Sequence, residues 1–270
     1  MAPTQREKAE RFKALHQASK LFLIPNPWDA GTARVLTGLG FEALATSSGA
    51  SAGTLGRLDG RLAREEALAV VRAIVQATHL PVSADLENGF GEKPAIAAET
   101  ILLGAEAGLV GGSIEDAIPT KIYDFELSVE RVAAAVEAAR SLAFPFTLTA
   151  RAENYLRGNP NLDDTIKRLL AYEKAGADVL FAPGLPDLAS VRTVCSALSK
   201  PVNFMAGIKG KTFSIAELAS VGVRRVSFAG SLYRTAMTSF VAAAREVKEN
   251  GTFSYLNNAM SAADLNAFFE

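Results

Sequence analysis

The chain has one cysteine, Cys195, and so cannot close a disulfide on itself. It has no uninterrupted apolar run near the ~20 residues that a membrane-spanning helix needs. Neither sign of charge dominates: 28 Lys and Arg against 29 Asp and Glu leave a net charge of −1. That balance gives no electrostatic basis for binding nucleic acid or a membrane surface. The opening residues Met1-Ala2-Pro3-Thr4-Gln5-Arg6-Glu7-Lys8 are charged and run into an amphipathic segment rather than an apolar signal core. No Pro/Gly/Ser-rich linker or low-complexity tract interrupts the chain. The expectation is a cytoplasmic protein with no nucleic-acid or membrane partner.

What is present is an alternation. Hydrophobic residues make up 49% of the 270 positions, enough for a substantial core. Strand-like runs occur near Leu21–Pro25, Ala43–Ser47, Pro81–Glu87, Val110–Glu115, Phe146–Arg151, Asp178–Phe181, Pro201–Phe204 and Arg225–Ala229. Segments of helical period separate them, such as Ala63–Ala77 with Leu68, Val71, Ile74 and Val75 on one face, and Pro94–Ala107 with proline at its start. Several helices end in glycine before the next strand, as in Ala107-Gly108-Leu109 and Ala175-Gly176-Ala177. About eight strand–helix units predict an α/β protein of the (β/α)₈ TIM-barrel class, with a doubly wound open sheet as the alternative. We expect one barrel domain over residues 1–270, with extra N-terminal and C-terminal helices and 231–270 as a C-terminal helical region.

The acids sit where apolar runs end. Pro81-Val82-Ser83-Ala84 leads into Asp85, Glu87 and Asn88; Gly111-Gly112-Ser113-Ile114 into Glu115 and Asp116; and Phe146-Thr147-Leu148-Thr149-Ala150 into Arg151, Glu153 and Asn154. Earlier strand ends offer Asn26, Trp28 and Asp29, then Thr46, Ser47, Ser48 and Gly49, whereas later ones offer little beyond Pro183 and Gly184. A carboxylate near a core is costly unless a cation or hydrogen bonds compensate it. In a barrel all these groups face one mouth. Oxygen ligands beside an arginine there suggest a divalent metal and an anionic substrate.

From Ile24-Pro25-Asn26-Pro27-Trp28-Asp29-Ala30 to Phe228-Ala229-Gly230 the chain resembles the isocitrate lyase/phosphoenolpyruvate mutase superfamily. The carrying motifs are Thr46-Ser47-Ser48-Gly49-Ala50, Asp85-Leu86-Glu87-Asn88-Gly89-Phe90-Gly91, Ser113-Ile114-Glu115-Asp116 and Thr149-Ala150-Arg151-Ala152-Glu153. The resemblance implies an enzyme that uses Mg²⁺, with Mn²⁺ as a possible substitute, to hold a 2-oxo acid or its enolate. It maps the substrate carboxylate to Ser47, Ser48, Gly49 and Ala50, and the metal, directly or through water, to Asp85, Glu87 and Glu115. Asp59 is a further acid after the second strand, and Arg151 is the arginine of the fifth. Trp28 and Glu153 join the expected substrate site from the strand-end reading.

The segment after the fourth strand, Ala117–Phe125, is expected to act as a lid. Lyases of this superfamily carry Lys-Lys/Arg-Cys-Gly-His there. Counting from Glu115 puts Lys121 at the lysine and Tyr123 at the cysteine, and both, with Arg151, are the expected catalytic residues. Cys195 lies in a helical segment remote from any strand end and reads as a small buried hydrophobe. His16 and His79 read as structural or solvent-facing.

The expected reaction is decarboxylation or carbon–carbon cleavage of an oxaloacetate-like 2-oxo or 2-hydroxy di-acid. Carbon–phosphorus chemistry on phosphonopyruvate, and a catalytically silent barrel that binds a 2-oxo acid, remain open. The C-terminal helix resembles in position one that superfamily members exchange between subunits, which implies a homotetramer built as a dimer of dimers.

Overall fold

The computed structural model describes residues 2–270. Its eight barrel strands are β1 (Phe22–Ile24), β2 (Leu44–Ala45), β3 (Val82–Asp85), β4 (Gly111–Glu115), β7 (Thr147–Arg151), β8 (Val179–Phe181), β9 (Val202–Met205) and β10 (Arg225–Ser227). Between β4 and β7 lies a small antiparallel hairpin, β5 (Ala117–Ile118) and β6 (Lys121–Ile122). The barrel strands are parallel and run β1-β10-β9-β8-β7-β4-β3-β2 around the sheet.

Across the remaining seam the backbone N–H of Ala45 donates to Pro25 O at 3.0 Å. The buried Asn26 side chain completes the closure. Its Nδ2 donates to Thr46 O at 2.9 Å, while its Oδ1 accepts from Phe228 N at 2.8 Å. One amide thus joins the chain after β1, β2 and β10. The expected barrel is the architecture found, not an open doubly wound sheet.

Local sequence explains how the units repeat. The strands are Val-, Leu-, Ile- and Ala-rich because helices cover one face and the barrel interior the other. The crossover helices include α4 (Arg64–Ala77), α5 (Pro94–Glu106), α6 (Phe125–Ser141), α7 (Leu162–Lys174), α8 (Leu188–Ala197) and α9 (Ile215–Ser220). Gly108 and Gly176 follow α5 and α7 with φ of 97° and 105°, a region that L side chains rarely adopt. A Cβ on Gly108 would also lie 2.6 Å from Val75, so glycine there serves both turn and packing.

The N-terminal helix α1 (Gln5–Gln17) closes the barrel from below. A capping box of Thr4 and Glu7 starts it, and its buried face carries Ala9, Phe12 and His16. Gly111 makes room, since a Cβ there would sit 2.8 Å from the Phe12 ring. His16 packs edge-on against Phe12 and Phe22. Burial, and then Arg225, push its pKa down to about 3, so the ring is neutral. Its Nδ1 lies 2.8 Å from Phe12 O and its Nε2 3.3 Å from Arg225 Nη1. Arg225 is itself buried at the barrel centre, donating to Asn203 Oδ1 at 2.8 Å and Thr149 Oγ1 at 3.0 Å. His16 is a structural residue.

The C-terminal region departs from the pattern. Helix α10 (Ser231–Asn250) follows β10 but buries none of its residues, and Met237, Phe240 and Val241 are exposed. Gly251 ends it in the left-handed conformation, and α11 (Ala262–Asn266) begins at a Ser261 cap. In the single chain the terminus returns to its own α2 (Ala30–Gly38). The Phe268 ring lies 2.7 Å from where a Gly38 Cβ would be, and Arg34 Nη1 donates to Phe269 O at 2.5 Å.

Candidate active site

The C-terminal ends of β3, β4 and β7 bring the predicted acids to one guanidinium. Parallel register pairs Glu115 with Arg151, so both side chains leave their strands at the same height. Arg151 Nη1 lies 2.8 Å from Asp85 Oδ1, Nη2 2.9 Å from Glu115 Oε2, and Nε 2.9 Å from Glu153 Oε1. Its guanidinium lies over the Phe181 ring, 5.2 Å from the centroid. Burial alone would depress the arginine, but Glu153, Asp85 and Glu115 together hold its pKa well above the ordinary value. It is a permanent cation.

Asp85 is set by two backbone contacts. Its own N–H donates to Thr46 Oγ1 at 3.1 Å, and its Oδ1 accepts from Glu87 N at 3.2 Å. Glu87 has φ of 49°, a strained left-handed conformation for a non-glycine residue. The turn that follows is held by the buried Arg131 of α6, which donates to the carbonyls of Asn88, Gly91 and Glu92. Burial, followed by repulsion from Asp85 and Asp59, pushes the Glu87 carboxyl up to about 7. Burial likewise pushes Glu115 up to about 8, against the pull of Arg151.

Ser47 caps α3 (Ser48–Thr54), with its Oγ accepting from Ala50 N at 3.4 Å, so Ser48, Gly49 and Ala50 form the helix start beside the mouth. Asp59 leans against this turn: a Cβ on Gly49 would be 3.1 Å from Asp59 Oδ2. Above these groups lies a cavity of about 820 Å³, whose lining includes Ser48, Asp59, Glu87, Glu115, Arg151 and Glu153. A chamber of about 80 Å³ beneath it is bordered by Ser47, Asp85 and Arg151 and reaches down to Asn203 and Arg225.

Trp28, Lys121 and Tyr123 line neither of these spaces. Trp28 packs edge-on against Tyr233 of α10, with ring centroids 5.4 Å apart. Lys121 is exposed at the turn of the β5–β6 hairpin. Tyr123 is buried behind the hairpin, where its hydroxyl accepts from Asn88 Nδ2 at 2.8 Å and Arg131 lies over its ring. The structure therefore does not bring the phenol to the mouth.

A further neighbour of the site, Arg157, has no strand-end signal in the sequence. Arg157, four residues beyond Glu153, lines the cavity, with its Nη2 3.2 Å from Glu115 Oε1. Asp116, next to Glu115, faces away from the mouth. It accepts from Tyr172 Oη at 2.6 Å, Arg168 Nη1 at 3.1 Å and Glu153 N at 2.9 Å, and so fixes the loop after β7 to the loop after β4. Among the described residues no three His, Cys, Asp or Glu side chains converge as a ready-made metal cage.

Fold and site together define a (β/α)₈-barrel enzyme with a carboxylate-rich mouth organised around one buried arginine. Residues 12–248 match the family described as phosphoenolpyruvate phosphomutase. The chain belongs to this family, within the isocitrate lyase/phosphoenolpyruvate mutase superfamily. Among solved structures it is similar to a protein of Burkholderia cenocepacia J2315 assigned provisionally as a lyase/mutase, with TM-score 0.96 and 53% identity over 98% of this chain and 96% of that one. The structure of a 2,3-dimethylmalate lyase gives TM-score 0.87 and 25% identity over 97% and 95% of the two chains. In sequence it is 29% identical to the 2-methylisocitrate lyase of Halalkalibacterium halodurans, over 92% of this chain and 85% of that one.

Proposed function

We propose that the protein is a cytoplasmic, Mg²⁺-dependent lyase acting on a small 2-oxo or 2-hydroxy di-acid through an enolate. Decarboxylation or carbon–carbon cleavage of an oxaloacetate-like substrate is the leading reaction. The observation that carries the reading is Arg151, which holds Asp85, Glu115 and Glu153 together at the floor of the mouth. The names of the lyase relatives support carbon–carbon chemistry.

The donor set fits a magnesium ion. Burial first, and then repulsion from Asp85 and Asp59, raise the Glu87 pKa, and a dication among them would relieve that repulsion. Magnesium prefers oxygen ligands and retains several waters, so it does not require a cage of three side chains. Asp85 and Glu115 would hold it, with Glu87 and Asp59 acting through water, and Mn²⁺ could take its place. When bound, the ion supplies a Lewis acid for the 2-oxo group.

Within that arrangement the start of α3, from Ser47 to Ala50, receives the substrate carboxylate. Arg151 stabilises the negative charge that develops on the enolate oxygen, in a site where burial strengthens the interaction. Glu153 and Glu115 keep the guanidinium aimed at the mouth. Lys121 returns a proton if the hairpin closes over the cavity, whereas Tyr123 anchors the hairpin from behind. The match to the phosphomutase family favours one second reading, carbon–phosphorus chemistry on phosphonopyruvate.

The same proposal includes a homotetramer built as a dimer of dimers. It rests on α10, where Met237, Phe240, Val241 and Val247 are exposed in the single chain. The deciding experiment for function is turnover of a panel of 2-oxo acids with and without Mg²⁺. Metal-dependent product release supports the enzyme; binding without turnover overturns it in favour of a silent sensor.

A further inference from the structure

Three arginines line the 820 Å³ cavity, and their commitments differ. Arg64 stands at the rim and pairs with Glu99 at 2.8 Å. Arg151 has carboxylates on Nε, Nη1 and Nη2. Arg157 is different. Its Nη2 makes one 3.2 Å contact with Glu115 and stands 4.0 Å from Glu153 Oε2, while its buried Nε–H has no partner. Glu153 Oε2 is also buried and unpartnered, so the space between these two side chains holds unsatisfied polar atoms of both kinds. Such atoms are costly unless a ligand or water satisfies them.

We propose that Arg157 forms a subsite for a second anionic group on the substrate, a distal carboxylate or phosphonate, and that it sets specificity for dianionic over monoanionic 2-oxo acids. This rests on the reading of the mouth as a 2-oxo acid site. Arg151 and Arg157 both contact Glu115, one at each carboxylate oxygen, so the two guanidiniums stand on either side of that carboxylate at the mouth. The planar fork of Arg157 matches a carboxylate or phosphonate in two-point contact, and its loose hold on Glu115 leaves it free to make one. The side chain is carried by the turn after Glu153, where Leu156 N and Arg157 N both donate to Glu153 O. Subsite and charge cluster are thereby anchored at the same residue.

A purely structural brace would affect all ligands alike, and that separates the two roles. Equilibrium binding would be measured by calorimetry in excess magnesium chloride, with pyruvate as the monoanionic probe and 3,3-difluorooxaloacetate as the dianionic one. The wild-type chain should prefer the dianion. Arg157→Gln should weaken the dianion at least about tenfold and pyruvate less than about twofold, with Arg157→Lys in between. Equal weakening of both probes, or no change in either, overturns the subsite while leaving the 2-oxo acid site intact. Failure of the wild type to bind either probe overturns the 2-oxo acid reading itself. If Arg157→Gln does not fold, the same ratio is read from Arg157→Lys.

Discussion

Arg151 on β7 reaches past β4 to place its Nη1 2.8 Å from Asp85 Oδ1 on β3. This contact ties together strands that share no backbone hydrogen bonds, and it is made between side chains that are 11% and 19% exposed. The charges at the mouth therefore form one unit, and altering a single member redistributes the rest.

Removing the cation should be severe. Arg151→Met leaves Asp85, Glu115 and the fully buried Glu153 without their common partner. Breaking a buried ion pair from one side costs about 3–5 kcal/mol, so the variant should lose about that much unfolding free energy as well as turnover. Urea unfolding measures the first quantity. A stability within about 1 kcal/mol of the wild type would mean that the carboxylates are adequately solvated without Arg151.

The metal prediction concerns Asp85 and pH. Asp85→Ala should abolish metal-dependent turnover and lower Mg²⁺ affinity while the barrel stays folded; unchanged Mg²⁺ affinity would remove Asp85 from the site. Glu87 has a folded-state pKa of about 7 against an ordinary 4.5, so the folded protein binds this proton more tightly than the unfolded chain. Its contribution to stability is therefore greatest at low pH and declines as pH rises from 4.5 towards 7 in metal-free protein. Conversely, Mg²⁺ affinity should increase as the pH passes through that value, because the proton must leave first. Glu87→Gln should flatten both profiles, as followed by thermal melts and calorimetric titration.

At the hairpin, two neighbouring residues should behave differently. Lys121→Ala is expected to reduce turnover more than it weakens Mg²⁺ binding. Tyr123→Phe loses the hydrogen bond from Asn88 and should cost about 1 kcal/mol of stability while turnover is largely kept. Collapse of turnover in Tyr123→Phe with stability unchanged would instead assign the phenol to the chemistry.

Assembly is tested through the tail. Sedimentation should show a tetramer at micromolar concentration, and a monomer there would refute it. Deleting the chain after Asn250 removes Phe268 from its seat beside Gly38 and should change the oligomer if the terminal segment is exchanged between subunits. An unchanged oligomer would leave the terminus on its own barrel and place the contact on α10 alone.

The strand ends were legible in the sequence because a barrel gathers them at one face, and the apolar runs marked where each strand stopped. Asp85, Glu87, Glu115, Arg151 and Glu153 accordingly meet at one mouth. Residues beyond the strand ends were harder to place. Counting along the loop put Tyr123 at the mouth, but the β5–β6 hairpin reverses the chain and directs the ring towards Asn88 and Arg131. Asp116 and Glu115 are neighbours in the sequence yet face opposite ways, one towards α7 and one towards Arg151. Arg157 reaches the cavity only because the turn after Glu153 folds back, and no periodicity marks such a turn.

The seating of α1 beneath the barrel has a consequence for traffic. With Phe12 and His16 packed against Gly111 and Arg225, the interior is stoppered from below, under the well bordered by Asp85 and Arg151. Substrate and products must then share one doorway, so a product that lingers there blocks the next substrate. Pulling α1 away, by truncation or by a bulky fusion at its start, would uncork the well and let solvent reach Arg225. A helix at the far end from the chemistry thereby decides how dry the reaction vessel stays.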